Sequence, residues 1–351
     1  MKESITIGMD MGDKNHNICV LNAAGEIVTR ANIPNTSKAI QKYFGAFEPC
    51  RVVMEAGTHS GWVSRTVETL GHEVLVGNPR KLRLIWNSDE KCDDRDAEML
   101  ARIGRFDPHL LYPIHHRGQQ AQADLAIIKA RDLLVKTRSM LIVHVRGVVK
   151  SSGQRITKCS AKTFHLRLLT EMPAELQPAL EPLRQSIEEL TRRIRQYDKL
   201  LGTLCVEKYP ETKSLLAIRG VGPVTTMAFV LTLEESARFA KSRAVGSFIG
   251  LAPKRDQSGQ VDKQLRITKA GDGYLRRLLV GCAQYILGPF GTDCDLRRFG
   301  LKLATRGGKN AKRRAVVAVA RKLAVLLHHL WKSGAEYDPL YQEHRMNKKV
   351  A

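Results

Sequence analysis

ITIGMDMGDKNHNICVLNAAGEIVTRANI, Ile5 to Ile33, is the stretch whose reading decides the fold. It holds most of three short runs: SITIGMD from Ser4, NHNICVLN from Asn15 and EIVTRANI from Glu26. Each alternates apolar with polar positions, and the small residues Ala23-Ala24-Gly25 between the last two form a turn. The three runs predict an antiparallel meander. Outward from it, the sequence predicts a helix over Ser37 to Phe47, a buried strand at RVVMEA (Arg51 to Ala56), a helix from Trp62 to Leu70 and a strand at HEVLVGN (His72 to Asn78). Three strands followed by alternating helix and strand make an α/β domain, expected over residues 1–112. Two carboxylates end strands in it: Asp10, followed by Met11-Gly12, and Glu55, followed by Ala56-Gly57.

A third acidic feature follows. KCDDRDAE, Lys91 to Glu98, packs three aspartates into four positions of a chain with 57 Lys and Arg against 35 Asp and Glu. On a helix, Asp93, Asp96, Ala97, Leu100 and Gly104 share one face, Asp94 sits at its edge, and Arg95, Glu98 and Arg102 point elsewhere. Inward carboxylates three residues apart repel each other and lose hydration, a cost that a cation or strong donors offset. The plainer alternative makes Asp93 a helix cap, with Asp94 or Asp96 in a favourable first turn. If the first and fourth strands are neighbours, Asp10 and Glu55 leave the sheet at one edge, where Asp93 and Asp96 complete an all-oxygen site for Mg2+, with Mn2+ as a substitute. Two such ions stabilise both the attacking and the leaving oxygen of a phosphodiester displacement. This order of acids on a meander followed by alternation looks like the ribonuclease H and Holliday-junction-resolvase fold. A nucleotide site of the actin type, starting at Gly8 to Gly12, would need further glycine loops that the sequence lacks.

From residue 113 to 210 the period becomes helical. Ile127, Leu134, Leu141 and Val148 recur every seven residues beside Ile128, Val135, Ile142 and Val149, and a second helix carries Ile187, Leu190, Ile194, Tyr197, Leu201 and Leu204 at three-four spacing. With the polar, basic loop SSGQRITKCSAK between them, these predict a coiled-coil helical hairpin projecting from the first domain, as an intramolecular coil or a dimerisation arm. The remainder, residues 211–351, reads as mainly helical, with a Gly-Val-Gly-Pro turn at Gly220 to Pro223 between two helices. A formal net charge of +22 points to a polyanionic partner, nucleic acid first. No apolar run is long enough for a membrane span, and the start MKESITIGMD enters a strand pattern directly, without a leader. Seven cysteines at no metal-ligand spacing read as thiols of a reducing cytoplasm.

IGMD with Asp10, VVMEAGTHSG with Glu55 and KCDDRDAEMLA with Asp93 and Asp96, followed by IRGVGPVTT, FIGLAPKRDQSG and RITKAGDGYLRRLLVGCA, together resemble the DEDD-type transposases of insertion sequences, a family related to Piv-type DNA invertases. The resemblance spans nearly the whole chain. Cys92 departs from it, standing where the third motif usually has threonine. The resemblance implies that Ser258 is the nucleophile of a DNA recombinase, attacking phosphorus to form a phosphoserine link to DNA in a composite site across subunits. Residues alone read Ser258 as a loop serine among cations, with Ser247 a weaker candidate. The resemblance further implies donor and target DNA and a structured guide (bridge) RNA as partners, and a dimeric or tetrameric assembly in a bacterial or archaeal cytoplasm, on the nucleoid. The Gly220 and Gly222 turn resembles a helix-hairpin-helix whose amides face a phosphate. With Lys254, Arg255, Lys263, Arg266, Lys269, Arg276 and Arg277 it makes up the expected nucleic-acid contacts. A metal-dependent nuclease or junction resolvase using water as nucleophile is the rival reading, and a purely nucleic-acid-binding protein is the third.

Overall fold

The computed structural model describes residues 5–82, 93–258 and 261–350, the side chains of 261–264 and 347–350 excepted. The chain divides into two compact units, Met1–Gln119 and Gln120–Ala351. In the first, strands β1 (Thr6–Met11), β2 (Asn15–Leu21) and β3 (Ile27–Pro34) form the expected meander. They are followed by α1 (Ser37–Phe44), β4 (Arg51–Glu55), α2 (Ser60–Glu68), β5 (Glu73–Gly77) and α3 (Asp93–Phe106). The sheet order is β3-β2-β1-β4-β5, with β1 antiparallel to β2 and parallel to β4. The first and fourth strands are therefore neighbours.

Period-two alternation sorts β1 between two faces of the sheet. Ile7 and Met9 join Ile18, Val20, Val52 and Met54 under Ile40 and Phe44 of α1 and Val63 and Val67 of α2. Gly8 and Val53 lie on the other face, which α3 covers. A Cβ at Gly8 would stand 2.0 Å from the Ala97 carbonyl oxygen, and one at Gly104 would stand 2.3 Å from Val53 Cγ2. The helix therefore rests on the sheet at two glycines, one on each partner, and only the absence of a side chain lets the backbones approach so closely.

In the second unit, α4 (Gln119–Ser151) and α6 (Gln177–Glu207) make the helical hairpin. They run antiparallel, because Arg131 meets Asp198 at 2.6 Å and Arg138 donates to Thr191 at 3.2 Å. Ile187, Ile194 and Leu201 of the expected seam are buried. The hairpin is rooted in this unit, for Leu125, Ile128, Leu201 and Cys205 belong to its main core. At the other end a separate cluster joins Val145, Val149 and Ile187 to Phe164 and Leu168 of the short helix α5 (Phe164–Glu171). Beyond the hairpin come α7 (Thr212–Leu216), α8 (Pro223–Leu233), α9 (Arg243–Phe248), a two-stranded ribbon of β6 (Pro253–Ser258) and β7 (Val261–Ile267), then α10 (Gly273–Leu287), α11 (Asp295–Ala304), α12 (Ala311–Ser333) and α13 (Tyr341–Val350). Helix α8 is buried on every side from Thr225 to Leu233, in keeping with a sequence that carries no charged residue and only threonines among its polar ones. No helix among the described residues is long and apolar enough to cross a membrane.

Candidate active site

Asp10 and Glu55 each follow three or four fully buried strand residues and are themselves half-buried. One step beyond the last parallel pair, Met9 with Met54, they leave adjacent strands side by side. Alternation sets both on the face of Gly8 and Val53, the face covered by α3. That helix brings its first turn to the same end. Asn17 of β2 pairs directly across from Asp10, and its Nδ2 donates to Asp93 Oδ2 at 3.5 Å. Asn17 in turn accepts at 2.6 Å from Asn32 Nδ2, its partner on β3.

A second tie pins the same helix turn. Arg30 of β3 donates to the Asp94 carbonyl at 2.9 Å and to Glu98 at 2.5 Å, while Arg102 holds the other Glu98 oxygen at 2.8 Å. The hydrogen bond from Arg102, helped by Arg30 and opposed by partial burial, keeps the Glu98 carboxyl below its ordinary range. Glu98 thus has a structural partner on the sheet, although the helical wheel turned it away. Ala97, Leu100 and Gly104 are buried as the wheel predicted, but Asp93 is exposed and Asp96 half-buried. Water keeps part of its hold on both carboxylates, so their repulsion costs less than full burial would. The Asp94 side chain is exposed at the edge. Lys91 and Cys92 lie outside the described residues.

Among the described residues no three acidic, histidine or cysteine side chains stand close enough together to hold a metal ion. The fit to a divalent cation is one of donor chemistry and placement: Asp10 and Glu55 at adjacent strand ends, Asp93 and Asp96 in the helix turn docked beside them, all hard oxygen donors.

The serine and the basic residues belong to the second unit. Ser258 is the last residue of β6, paired with Val261, and so ends a strand. A loop had been the simpler expectation because PKRDQS has no apolar alternation to announce a strand. Lys254, Arg255 and Ser258 are exposed, as are Arg266 and Lys269, the latter in a left-handed conformation at φ 55°. Lys263 faces Asp256 across the ribbon by backbone register, and its side chain lies outside the described residues. Arg276 is committed to the fold, since its Nη1 donates to the carbonyls of Ile249 at 2.9 Å and Ala270 at 2.7 Å. Arg277 grips both oxygens of Asp132 on α4, at 2.7 and 2.8 Å, and stacks over Tyr274. The Gly220 turn is present between α7 and α8. Gly220 takes φ 98° against the Tyr285 ring, and Gly222 precedes Pro223 at the first position of α8.

Residues 7–153, which include all four acids, match a model of the transposase DEDD domain of IS110, and residues 212–289, which include Ser258, match the transposase IS116/IS110/IS902 family. Over these two segments the chain is similar to transposases of the IS110 family. Curated relatives agree along the length of this transposase. A probable family 20 transposase of Pseudomonas aeruginosa is 25% identical over 95% of the chain and 98% of its own length. The transposase for insertion sequence element IS1111A of Coxiella burnetii is 25% identical over 93% of the chain and 89% of its own. A pilin gene-inverting protein of Moraxella bovis is 23% identical over 83% of each. The chain is thus an enzyme of DNA transposition and recombination.

Asn17, Asn32 and Arg30 had no place in the sequence reading. The signal for Asn17 was available in principle, since a tight β1–β2 turn sets it opposite Asp10, but the register that reveals it depends on the turn itself.

Proposed function

We propose that this transposase cuts and rejoins DNA strands with a ribonuclease H-like acidic centre made of Asp10, Glu55, Asp93 and Asp96. These four side chains would hold Mg2+, or Mn2+ in its place, and the bound ion would supply positive charge where the phosphodiester gains negative charge. The observation that carries the reading is the parallel pairing of β1 with β4, which delivers Asp10 and Glu55 to one sheet end beside the first turn of α3.

Ser258 is the proposed nucleophile. Its Oγ attacks phosphorus and the 3′ oxygen of DNA leaves, giving a phosphoserine link that a second strand end resolves. Its exposure on a basic ribbon supports this role, because a backbone phosphate can reach it, with Lys254, Arg255 and Arg266 as cations. A structured RNA that pairs with donor and target DNA is the proposed guide, and a charge of +22 suits two polyanions at once. The relative that inverts pilin genes supports kinship with site-specific DNA inverters. Self-association is proposed through the hairpin: Leu133, Met140 and Val143 are 63%, 68% and 70% exposed on the side of α4 turned away from α6. The proposed place of work is the cytoplasm of a bacterium or archaeon, on the nucleoid.

A hydrolytic reading keeps the acids and replaces the serine by water. It is favoured by the match of the acids to a DEDD domain that ends at residue 153, well before Ser258. Incubation of the protein with Mg2+ and DNA bearing the element's ends, with and without RNA from the element's flanks, separates the two. The serine reading expects a covalent protein–DNA adduct that Ser258→Ala abolishes together with strand joining. Cleavage that persists undiminished in Ser258→Ala would establish water as the nucleophile.

A further inference from the structure

We infer that Asn17 is a positioning residue for Asp93, and that Asn32 determines which way the Asn17 amide points. The inference rests on the reading of Asp93 as a metal ligand and adds the residues that hold it. Three polar residues stand in line across the meander, Asp10 on β1, Asn17 on β2 and Asn32 on β3, each directly opposite the next in the strand registers. Directly opposed side chains in an antiparallel pair lie about 4.5–5.5 Å apart at Cβ, within reach of one another.

The chemistry of the groups fixes the direction of the chain of hydrogen bonds. A carboxylate only accepts, so the atom that Asn17 turns to Asp93 is its NH2 group, and its carbonyl oxygen is then left for Asn32. Asn32 meets that oxygen with its own NH2 at 2.6 Å. The order Asn32 to Asn17 to Asp93 is thus a relay in which each amide can serve only one way round. Asn17 is half-buried, so its orientation is held by the protein, whereas Asn32 is exposed and reads as the outer support. Two residues back on the same face of β3, Arg30 holds the Asp94 carbonyl and Glu98. The meander edge therefore grips the first turn of α3 twice, once at the backbone through Arg30 and once at the ligand itself through Asn17. Outer residues that orient a metal ligand typically change metal affinity about 10- to 100-fold when removed.

The test measures Mn2+ binding to the full chain by loss of the free-ion paramagnetic resonance signal, and the Mg2+ dependence of strand cleavage. Asn17→Ala is expected to weaken Mn2+ binding about 10-fold and to raise the Mg2+ needed for half-maximal cleavage by a similar factor, with cleavage at saturating Mg2+ close to the parent's. Asn32→Asp is the decisive variant, being isosteric and exposed. A carboxylate there can only accept, so it draws the Asn17 NH2 to itself and turns the Asn17 carbonyl toward Asp93. Binding weakens, although an added negative charge by itself would tighten a cation. Asn32→Ala, which leaves the Asn17 amide free to turn either way, is expected to weaken binding less than Asn32→Asp. Tighter Mn2+ binding in Asn32→Asp, or unchanged binding in Asn17→Ala while Asp93→Asn weakens it, would overturn the inference. Unchanged binding in Asp93→Asn would instead remove Asp93 from the metal site, and the parent reading with it.

Discussion

Asp10 stands next to last in a strand hydrogen-bonded on both sides and covered on both faces, whereas Ser258 ends a strand of a two-stranded ribbon whose residues from Lys254 to Ser258 are all exposed. The first setting fixes a side chain in advance. Ile7 and Met9, which precede Asp10, are fully buried in the core on one face of the sheet, α3 is seated on Gly8 on the other, and Asn17 and Arg30 reach from β2 and β3 to the helix turn that carries Asp93. An isolated two-stranded ribbon is marginally stable, and this one is tied to the core of its unit at Ile267. The contrast assigns the two parts of the chemistry different demands. On the proposed function, holding cations among four acids would require geometry set before the substrate arrives, and a serine nucleophile that must meet a flexible polyanion would gain from an exposed support.

The comparison breaks most readily at Asp10. Asp10→Asn keeps the shape and removes the charge, so strand cleavage should fall by on the order of 10^2–10^3 while DNA affinity stays within about two-fold. Cleavage within a few-fold of the parent would mean that the acidic end is scaffolding. A glycine pair sharpens the structural side. Gly8→Ala places a methyl 2.0 Å from the Ala97 carbonyl and should lower stability by about 1–3 kcal/mol in thermal melts, whereas Gly222→Ala meets nothing within 4 Å and should change it far less. Equal losses at the two positions would show that α3 does not rest on β1 as described. The smallest effect belongs to Asp94→Asn. Its carbonyl, and not its carboxylate, accepts from Arg30, so cleavage should stay within about two-fold and stability within about 0.5 kcal/mol. Complete loss of activity would rotate the helix register and make Asp94 the ligand.

The sheet was legible in the sequence because alternation in β1 to β3 and the buried run at β4 report burial directly, and the wheel of α3 found Ala97, Leu100 and Gly104 for the same reason. Asp93 emerged more exposed than the wheel implied, since a wheel records angle and takes no account of a residue standing first in its helix. Pairing across distance was not legible. The contact of Arg277 with Asp132 spans 145 positions and that of Asn17 with Asp93 spans 76, and composition assigns both to generic surface polarity. The two carbonyls that Arg276 meets, those of Ile249 and Ala270, are likewise visible only in the fold. Strand β6 escaped detection because PKRDQS, exposed from Lys254 on, carries no hydrophobic period.

The central claim is that Asp10, Glu55, Asp93 and Asp96 hold a divalent cation at the end of the β1–β4 pair. Crystals of the protein grown with Mn2+ test it through the metal's anomalous scattering. The account predicts a peak within about 2.3 Å of carboxylate oxygens from at least three of these four residues, lost in Asp10→Asn. A peak held by other residues, or one that persists unchanged in Asp10→Asn, would contradict it.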